Sequence, residues 1–315
     1  MMFIRRLTLT LALIACCSTA IAQGVTPFCD MLYWRASEEA TAVWSDVVPV
    51  TSPSFSAETL RFDWSPGFRV GCGYQPDADS WDVKLYWTNL RTSQEAEAGG
   101  LAIVIPQFFS GFVGGNQCYF NVAAIDWTLN YNTIDLELGR KITIGESAWI
   151  RPSMGIKAAI IKQDIHTYLT DYLLDITAEE RVAHDFWGLG PSFGIDGAWN
   201  LPKCNNLSLV GSFAGDFLFG QWNVNDAYVR TDDNPQFGKY QTYTTSMKDS
   251  SLGVPTLRGF LGLQWAHKGK IAITAQAGYE MQWWANQQRL LMFQQLPMHG
   301  DLTLEGLTCG VSIGY

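Results

Sequence analysis

The sequence predicts an all-β chain, a closed antiparallel transmembrane β-barrel of about ten strands, with twelve under a second reading. Three observations predict it. Segments of about 10–16 residues alternate between apolar residues and polar residues or glycine, the period of a strand with two unlike faces. Short and long connections between these segments alternate strictly. The 13 Trp, 12 Tyr and 17 Phe are spread along a chain of near-zero mean hydropathy, and no run after residue 22 reaches 18 apolar residues. Helical crossings are thereby excluded. A closed sheet is the remaining way to satisfy every backbone group in lipid.

In chain order, residues 1–22 come first and read as a signal peptide. Arg5 and Arg6 precede the short apolar stretch Leu7 to Ala15, and Ala20-Ile21-Ala22 supplies the small-x-small cleavage pattern. A membrane anchor would need about 20 apolar residues. A lipoprotein site at Leu13-Ile14-Ala15-Cys16, with lipid on Cys16, is the alternative. Residues 23–315 are read as a single barrel domain. Removing the leader takes two of 21 basic residues and none of 30 acidic ones, leaving 19 − 30 = −11. That charge argues against binding nucleic acid through its phosphates. Cys29, Cys72, Cys118, Cys204 and Cys309 remain, widely spaced and without a CxxC pair, so neither a metal site nor a cofactor is expected. Cys72 and Cys309 read as small strand residues, and Cys118 and Cys204 as candidates for a disulfide.

The strands follow from parity. From Phe62 to Tyr74 one face carries Phe62, Trp64, Phe68, Val70, Cys72 and Tyr74, and the other Arg61, Asp63, Gly67, Arg69, Gly71 and Gly73. Trp81, Val83, Leu85 and Trp87 oppose Asp82, Lys84, Tyr86 and Thr88. Ile150, Met154, Ile156, Ala158 and Ile160 oppose Arg151, Ser153, Gly155 and Lys157. Leu189, Phe193 and Ile195 oppose Gly188, Gly190, Ser192, Gly194 and Asp196. Ile273, Tyr279, Met281 and Trp283 oppose Thr274, Gln276, Gly278, Glu280 and Gln282. A soluble sandwich also alternates, but its strands are usually shorter than these. Trp and Tyr near the segment ends suit the aromatic girdles of a barrel.

Short links fall at Gln75–Asp79, Ile144–Ser147, Leu201–Asn206 and His267–Lys270. Long ones fall at Ser37–Glu58, Thr92–Tyr119, Asp164–Ala183, Asn223–Val254 and Asn286–Leu302. Barrels of bacterial outer membranes have this asymmetry, with short turns in the periplasm and long loops outside. Within Thr92–Tyr119, Leu101–Ile105 and Phe108–Val113 read either as an extra hairpin or as a loop folded into the mouth. The closing segment places Leu307, Cys309, Val311, Ile313 and the terminal Tyr315 on one face, against Gly306, Thr308, Gly310, Ser312 and Gly314. This lipid-facing strand with an aromatic end is the signal expected to be read by the outer-membrane insertion machinery.

Several stretches together resemble the Legionella-type major outer-membrane protein family of pore-forming barrels, whose relatives include proteins of chlamydia-related bacteria. They are Leu32-Tyr33-Trp34, Phe62 through Gly71, Ile134 through Arg140, Arg151-Pro152 with Gly155, Trp187 through Pro191, Gly278-Tyr279-Glu280 with Trp283-Trp284, and the closing strand. The resemblance covers nearly the whole mature chain and rests on the order of these stretches, not on any one. It implies a porin-like protein of the outer membrane and leaves the solute open.

By parity the lumen is expected to be lined by Arg61, Asp63, Arg69, Asp82, Lys84, Asp135, Glu137, Arg151, Lys157, Asp196, Arg258 and Glu280. Basic and acidic patches would set a field across the pore and orient small polar solutes. Alternatively these charges pair and fill the barrel, since about eight strands are just filled by side chains. Many inward glycines favour free space.

Two other function classes fit the residues less well. A membrane-embedded hydrolase could use His184-Asp185, or His166 with Asp164, as a base near carboxylates. Adjacent strand residues face opposite ways, however, and no serine sits in a GxSxG context. No catalytic residue is therefore expected. A structural or adhesive protein would work through loops such as Asn223–Val254, rich in Asp, Asn, Thr and Tyr. Lipid, insertion machinery and small polar solutes are the expected partners, and an oligomer is compatible with the composition.

Overall fold

Unlike faces force a sheet to choose between lipid and lumen, and closure removes the two edges that lipid could not satisfy. The computed structural model describes residues 24–38, 43–50, 54, 56–77, 80–107, 119–202, 206–230, 242–267, 269, 271–292 and 296–314. The strands are β1 (Val25–Glu38), β2 (Val43–Pro49), β3 (Ser56–Thr59), β4 (Ser65–Tyr74), β5 (Trp81–Pro106), β6 (Phe120–Arg140) and β7 (Ile142–Ile144). They continue with β8 (Ala148–Asp171), β9 (Ile176–Asn200), β10 (Leu207–Arg230), β11 (Thr242–His267), β12 (Ala272–Met292) and β13 (Leu296–Gly314). Ten of them close an antiparallel barrel in the order β5, β4, β1, β13, β12, β11, β10, β9, β8, β6, with β6 pairing back on β5. β2 and β3 add to the rim beside β5, and β7 pairs with β8.

The outward face of the barrel carries the lipid belt. On β9 it runs from Trp199 through Ile195, Phe193 and Leu189 to Trp187, all exposed. That stretch is about 40 Å along the strand at ~3.3 Å per residue. At the ~40° tilt usual for such barrels it rises about 30 Å, the thickness of a hydrocarbon core. Tyr74, Trp81, Trp199 and Trp265 ring the near end, where the short turns and the described termini lie. Tyr33, Trp64, Trp87 and Trp187 ring the far side. Just beyond them the outward pairs turn polar. Asn89 donates to Asn132 at 2.8 Å, Lys162 meets Asp185 at 3.5 Å, and Arg35 meets Glu305 at 2.5 Å.

Most strands do not stop there. β8 and β9 continue to a turn at 172–175, and β5 runs on to Pro106. Much of what reads as long loop in the sequence is therefore strand extended beyond the lipid. The reason is visible at Asp164, His166 and Tyr168. These outward residues lose the apolar contrast of the belt, while Ile165, Thr167 and Leu169 stay buried and the β8–β9 pairing persists to Asp171↔Ile176. The twelve-strand reading is also corrected. Residues 101–105 do not start a new crossing; they prolong β5, where Val104 pairs with Val47 of β2. Residues 108–113, Cys118, Cys204, Tyr315 and the signal segment lie outside the described residues.

Candidate functional site

Parity sends the polar side chains of the belt inward, and there they meet across the lumen. Arg69 donates from Nη2 to Glu280 at 2.6 Å, lies 3.3 Å from Asp30, and reaches Thr88 at 3.1 Å through Nε. Nearer the short turns, Arg151 contacts Asp82 at 2.5 Å and Glu137 and Asp196 at 3.0 Å each, and Lys84 joins Asp196 at 3.1 Å. Lys157 lies 2.5 Å from Asp216 and 3.4 Å from Asp135, while Thr256 donates to Asp216. Arg258 donates to the Tyr86 hydroxyl at 2.6 Å and lies 3.2 Å from Glu137. Tyr86 in turn donates to Glu137 at 2.6 Å. The result is a paired lattice of five bases and seven acids, nine of the twelve buried.

Of the twelve residues expected to line the lumen, ten face the barrel interior and belong to this lattice: Arg69, Asp82, Lys84, Asp135, Glu137, Arg151, Lys157, Asp196, Arg258 and Glu280. Arg61 and Asp63 do not. They are exposed on the irregular segment before β4, and Phe62 between them is the buried residue. Strand parity cannot be carried back past Ser65, where β4 begins. Asp30 and Asp216 were missed. Each sits in an apolar or aromatic run, Asp30 beside Met31 and Asp216 beside Phe217, and a single carboxylate at an inward position there was the available signal.

Above the charged lattice, toward the far end, large aromatics close over the lumen. Trp34, Trp127, Tyr131, Phe186, Trp222 and Trp284 are all essentially inaccessible. Tyr131 and Phe186 meet the Trp284 ring edge-on at 5.6 and 6.5 Å, and Phe186 packs on Trp222 at 4.8 Å. Hydrogen bonds tie their polar edges: Trp34 to Thr308, Trp127 to Gln163, and Tyr131 to Gln282. The tryptophans are thus divided between the girdles, which those near the segment ends suit, and the lumen, which sequence reading did not consider for them. The inward glycines do not leave free space either. A Cβ on Gly139 would lie 2.5 Å from the guanidinium carbon of Arg151, so the glycine is the notch that the arginine fills.

Three cysteines, Cys29, Cys72 and Cys309, stand as free thiols on β1, β4 and β13. His184 faces inward and is buried, whereas Asp185 faces outward and is paired with Lys162, so the two do not form a dyad. His166 lies on the outer wall at 3.2 Å from Glu179 and from Arg181. On the closing strand Leu307, Cys309 and Val311 face outward, and Ile313 is half-buried at the near rim.

Comparison with known proteins gives a family match over most of the chain. The family described as Legionella pneumophila major outer membrane protein precursor matches residues 28–314. No curated protein matches significantly. Among solved structures, the outer membrane protease OmpT from Escherichia coli is 8% identical with a TM-score of 0.43, covering 95% of this chain and 99% of its own. The Pseudomonas putida toluene transporter TodX is 7% identical with a TM-score of 0.30, covering 93% and 89%. The transport unit of the Escherichia coli autotransporter AIDA-I is 6% identical with a TM-score of 0.31, covering 95% and 92%.

Proposed function

The chain belongs to the Legionella pneumophila major outer membrane protein family, and from that membership we propose a porin-like role in the outer membrane, with a narrow path for small ions or polar solutes along the ion-paired wall. The wall is the observation that carries this reading. Its five bases and seven acids come from nine of the ten barrel strands. A barrel that had only to be filled gains little from them, because replacing buried ion pairs by packed apolar groups is often neutral or stabilising by about 1–4 kcal/mol. A polar, opposed wall is what lets a solute exchange one partner for the next while crossing. The excess of acids favours cations.

The aromatic layer sets the character of such a path. Passage requires side chains to move, so conductance is small and intermittent. Single-channel recording of the refolded protein in a planar bilayer tests this, with brief steps of definite ion selectivity as the expected result. Persistent silence from protein shown to be folded by heat-modifiable gel mobility refutes it.

The same aromatic layer favours a second reading, a closed barrel whose extended far-end strands present a structural or adhesive surface. In that case the bilayer stays silent, and replacing residues 231–241 by a short flexible link abolishes binding to a surface partner. A hydrolytic role is the weakest of the three, since His184 and Asp185 face opposite sides of the wall. As expected partners we infer membrane lipid for the belt, and the insertion machinery for the strand bearing Leu307, Cys309, Val311 and Ile313.

A further inference from the structure

The far half of the β12–β13 hairpin departs from the wall. Pairing between β11 and β12 ends at Thr256↔Trp284, whereas β10–β11 runs on to Val229↔Thr242 and β12–β13 to Met292↔Leu296. Among the described residues β12 is thus tied on one side only beyond Trp284. The register with β13 breaks between Trp284 and Gln288, with Asn286 at φ 48° and its N–H held by Asp301 at 2.8 Å. Past that bend Gln287, Gln288 and Arg289 are buried in succession. In a barrel wall every second residue faces out, so three consecutive buried residues mean the strand leans into the mouth.

Its contacts there reach across the lumen. Trp222 of β10 donates its indole N–H to the Gln287 carbonyl at 2.8 Å. The backbone N–H of Arg289 donates to Nε2 of His184 on β9 at 3.3 Å. The Arg289 guanidinium lies 3.6 Å from the centre of the Trp222 ring and pairs with Asp249 across the gap to β11. The amides of Gln287 and Gln288, Nε of Arg289 and Nδ1 of His184 are buried without a hydrogen-bonding partner. Each such group costs about 1–3 kcal/mol of desolvation, so the contact is held weakly for its size. Few satisfied hydrogen bonds, one paired edge and a bend at the base mark a segment of low local stability.

We propose that residues 285–292 of β12, with residues 296–302 of β13 paired to them, form a lid over the lumen, latched by the acceptor nitrogen of His184 and released when that imidazole takes a proton. Protonation converts Nε2 from acceptor to donor, which breaks its bond to the Arg289 N–H and sets a cation beside the Arg289 guanidinium. The other charged groups near His184 are few. On β9, Asp185 faces outward and Glu180 lies four residues along the inner row. β10 brings Asp226, opposite Val182, and β11 brings Asp249, already paired with Arg289. β8 places neutral Gln163 opposite His184, and the Glu38 carboxyl of β1 beside Gln163 is pushed well up by burial.

Burial lowers the His184 imidazole to about 4 from its ordinary 6.5. The released form binds the proton more tightly, so the closed state holds its full advantage above pH 6.5 and loses it as pH falls toward 4. Between pH 7.5 and 5 the open-to-closed ratio rises about 30-fold. A gating role for the lid rests on the porin reading; its movement does not.

Amide hydrogen exchange on the refolded protein tests the movement directly. After correction for intrinsic rates, exchange at residues 285–292 is expected to rise about 30-fold from pH 7.5 to 5 relative to residues 187–195 in the belt. His184→Gln keeps an acceptor that does not titrate, and it should abolish the rise. No rise in the native protein, or the same rise in His184→Gln, overturns the proposal. If His184→Gln fails to fold, Trp222→Phe serves instead. It removes the donor to Gln287 and should speed exchange at both pH values while the acid step remains; unchanged exchange also overturns the lid. Acid-driven exchange in a barrel that never conducts keeps the lid and removes the pore. Conduction without it does the reverse.

Discussion

Arg151→Ala removes the most heavily paired base of the lumen. Its side chain is 4% exposed and faces Asp82, Glu137 and Asp196. Removing the guanidinium leaves those three carboxylates with Lys84 and Arg258 as their remaining bases. Breaking a buried pair costs about 3–5 kcal/mol, chiefly because the orphaned partner stays desolvated. Asp196 is a quarter exposed and can recover some water, which places the expected loss near 3 kcal/mol. Urea unfolding of the barrel in detergent, followed by tryptophan fluorescence, measures it as a fall in the midpoint at constant slope. Arg151→Met combined with Asp82→Asn should recover most of the loss, since it removes the base together with the one carboxylate of the three that is paired with neither Lys84 nor Arg258. A loss below about 1 kcal/mol for the single variant would refute the argument. It would mean that water already screens the arginine from its three carboxylates. In a conducting protein, Arg69→Ala or Arg151→Ala should also shift selectivity toward cations.

Three further outcomes are expected. Gly139→Ala alone should destabilise by about 1–3 kcal/mol through overpacking against Arg151, yet be close to neutral in the Arg151→Ala background, a coupling that a double-mutant cycle reads directly. Ile156→Arg, on the lipid face within the belt, should cost about 2–4 kcal/mol in bilayer unfolding, whereas Asn89→Arg at the polar ring should cost about 0–1 kcal/mol. Trp284→Ala opens the aromatic layer at its centre, and single-channel events should become larger or longer; no change would place the constriction elsewhere.

The belt was legible in the sequence because lipid on one side and a polar lumen on the other impose contrast at every step. Val83, Leu85 and Trp87 against Asp82, Lys84 and Tyr86 can be read with no knowledge of partners. Beyond the polar ring both faces meet water or protein, and the contrast disappears. The extensions of β8 and β9 were therefore read as loop, although Ile165 and Leu169 keep the inward row. The packing of the lumen was hidden for another reason. A glycine such as Gly139 leaves space when viewed alone and marks contact once Arg151, twelve residues on, is placed across it. Parity gives a side chain's direction but not how far it reaches, so the arginine that fills the notch could not be inferred.

The first of these failures has a physical source that extends to β12. Within the belt each strand is fixed twice, by both neighbours and by lipid, and local pattern suffices to specify it. At the far end the lipid constraint is gone, and at β12 one neighbour is gone as well. What then positions residues 285–289 is contact across the lumen with Trp222 and His184, made by groups distant in sequence and only partly satisfied. A segment specified by so few contacts is the one that a proton or a passing solute can displace. The wall that bears the membrane cannot move in this way, because closing the barrel leaves its strands no unpaired edge. Any opening of this protein therefore begins at the far mouth, above the aromatic layer, and reaches the charged lattice only after Trp222 and Trp284 have yielded.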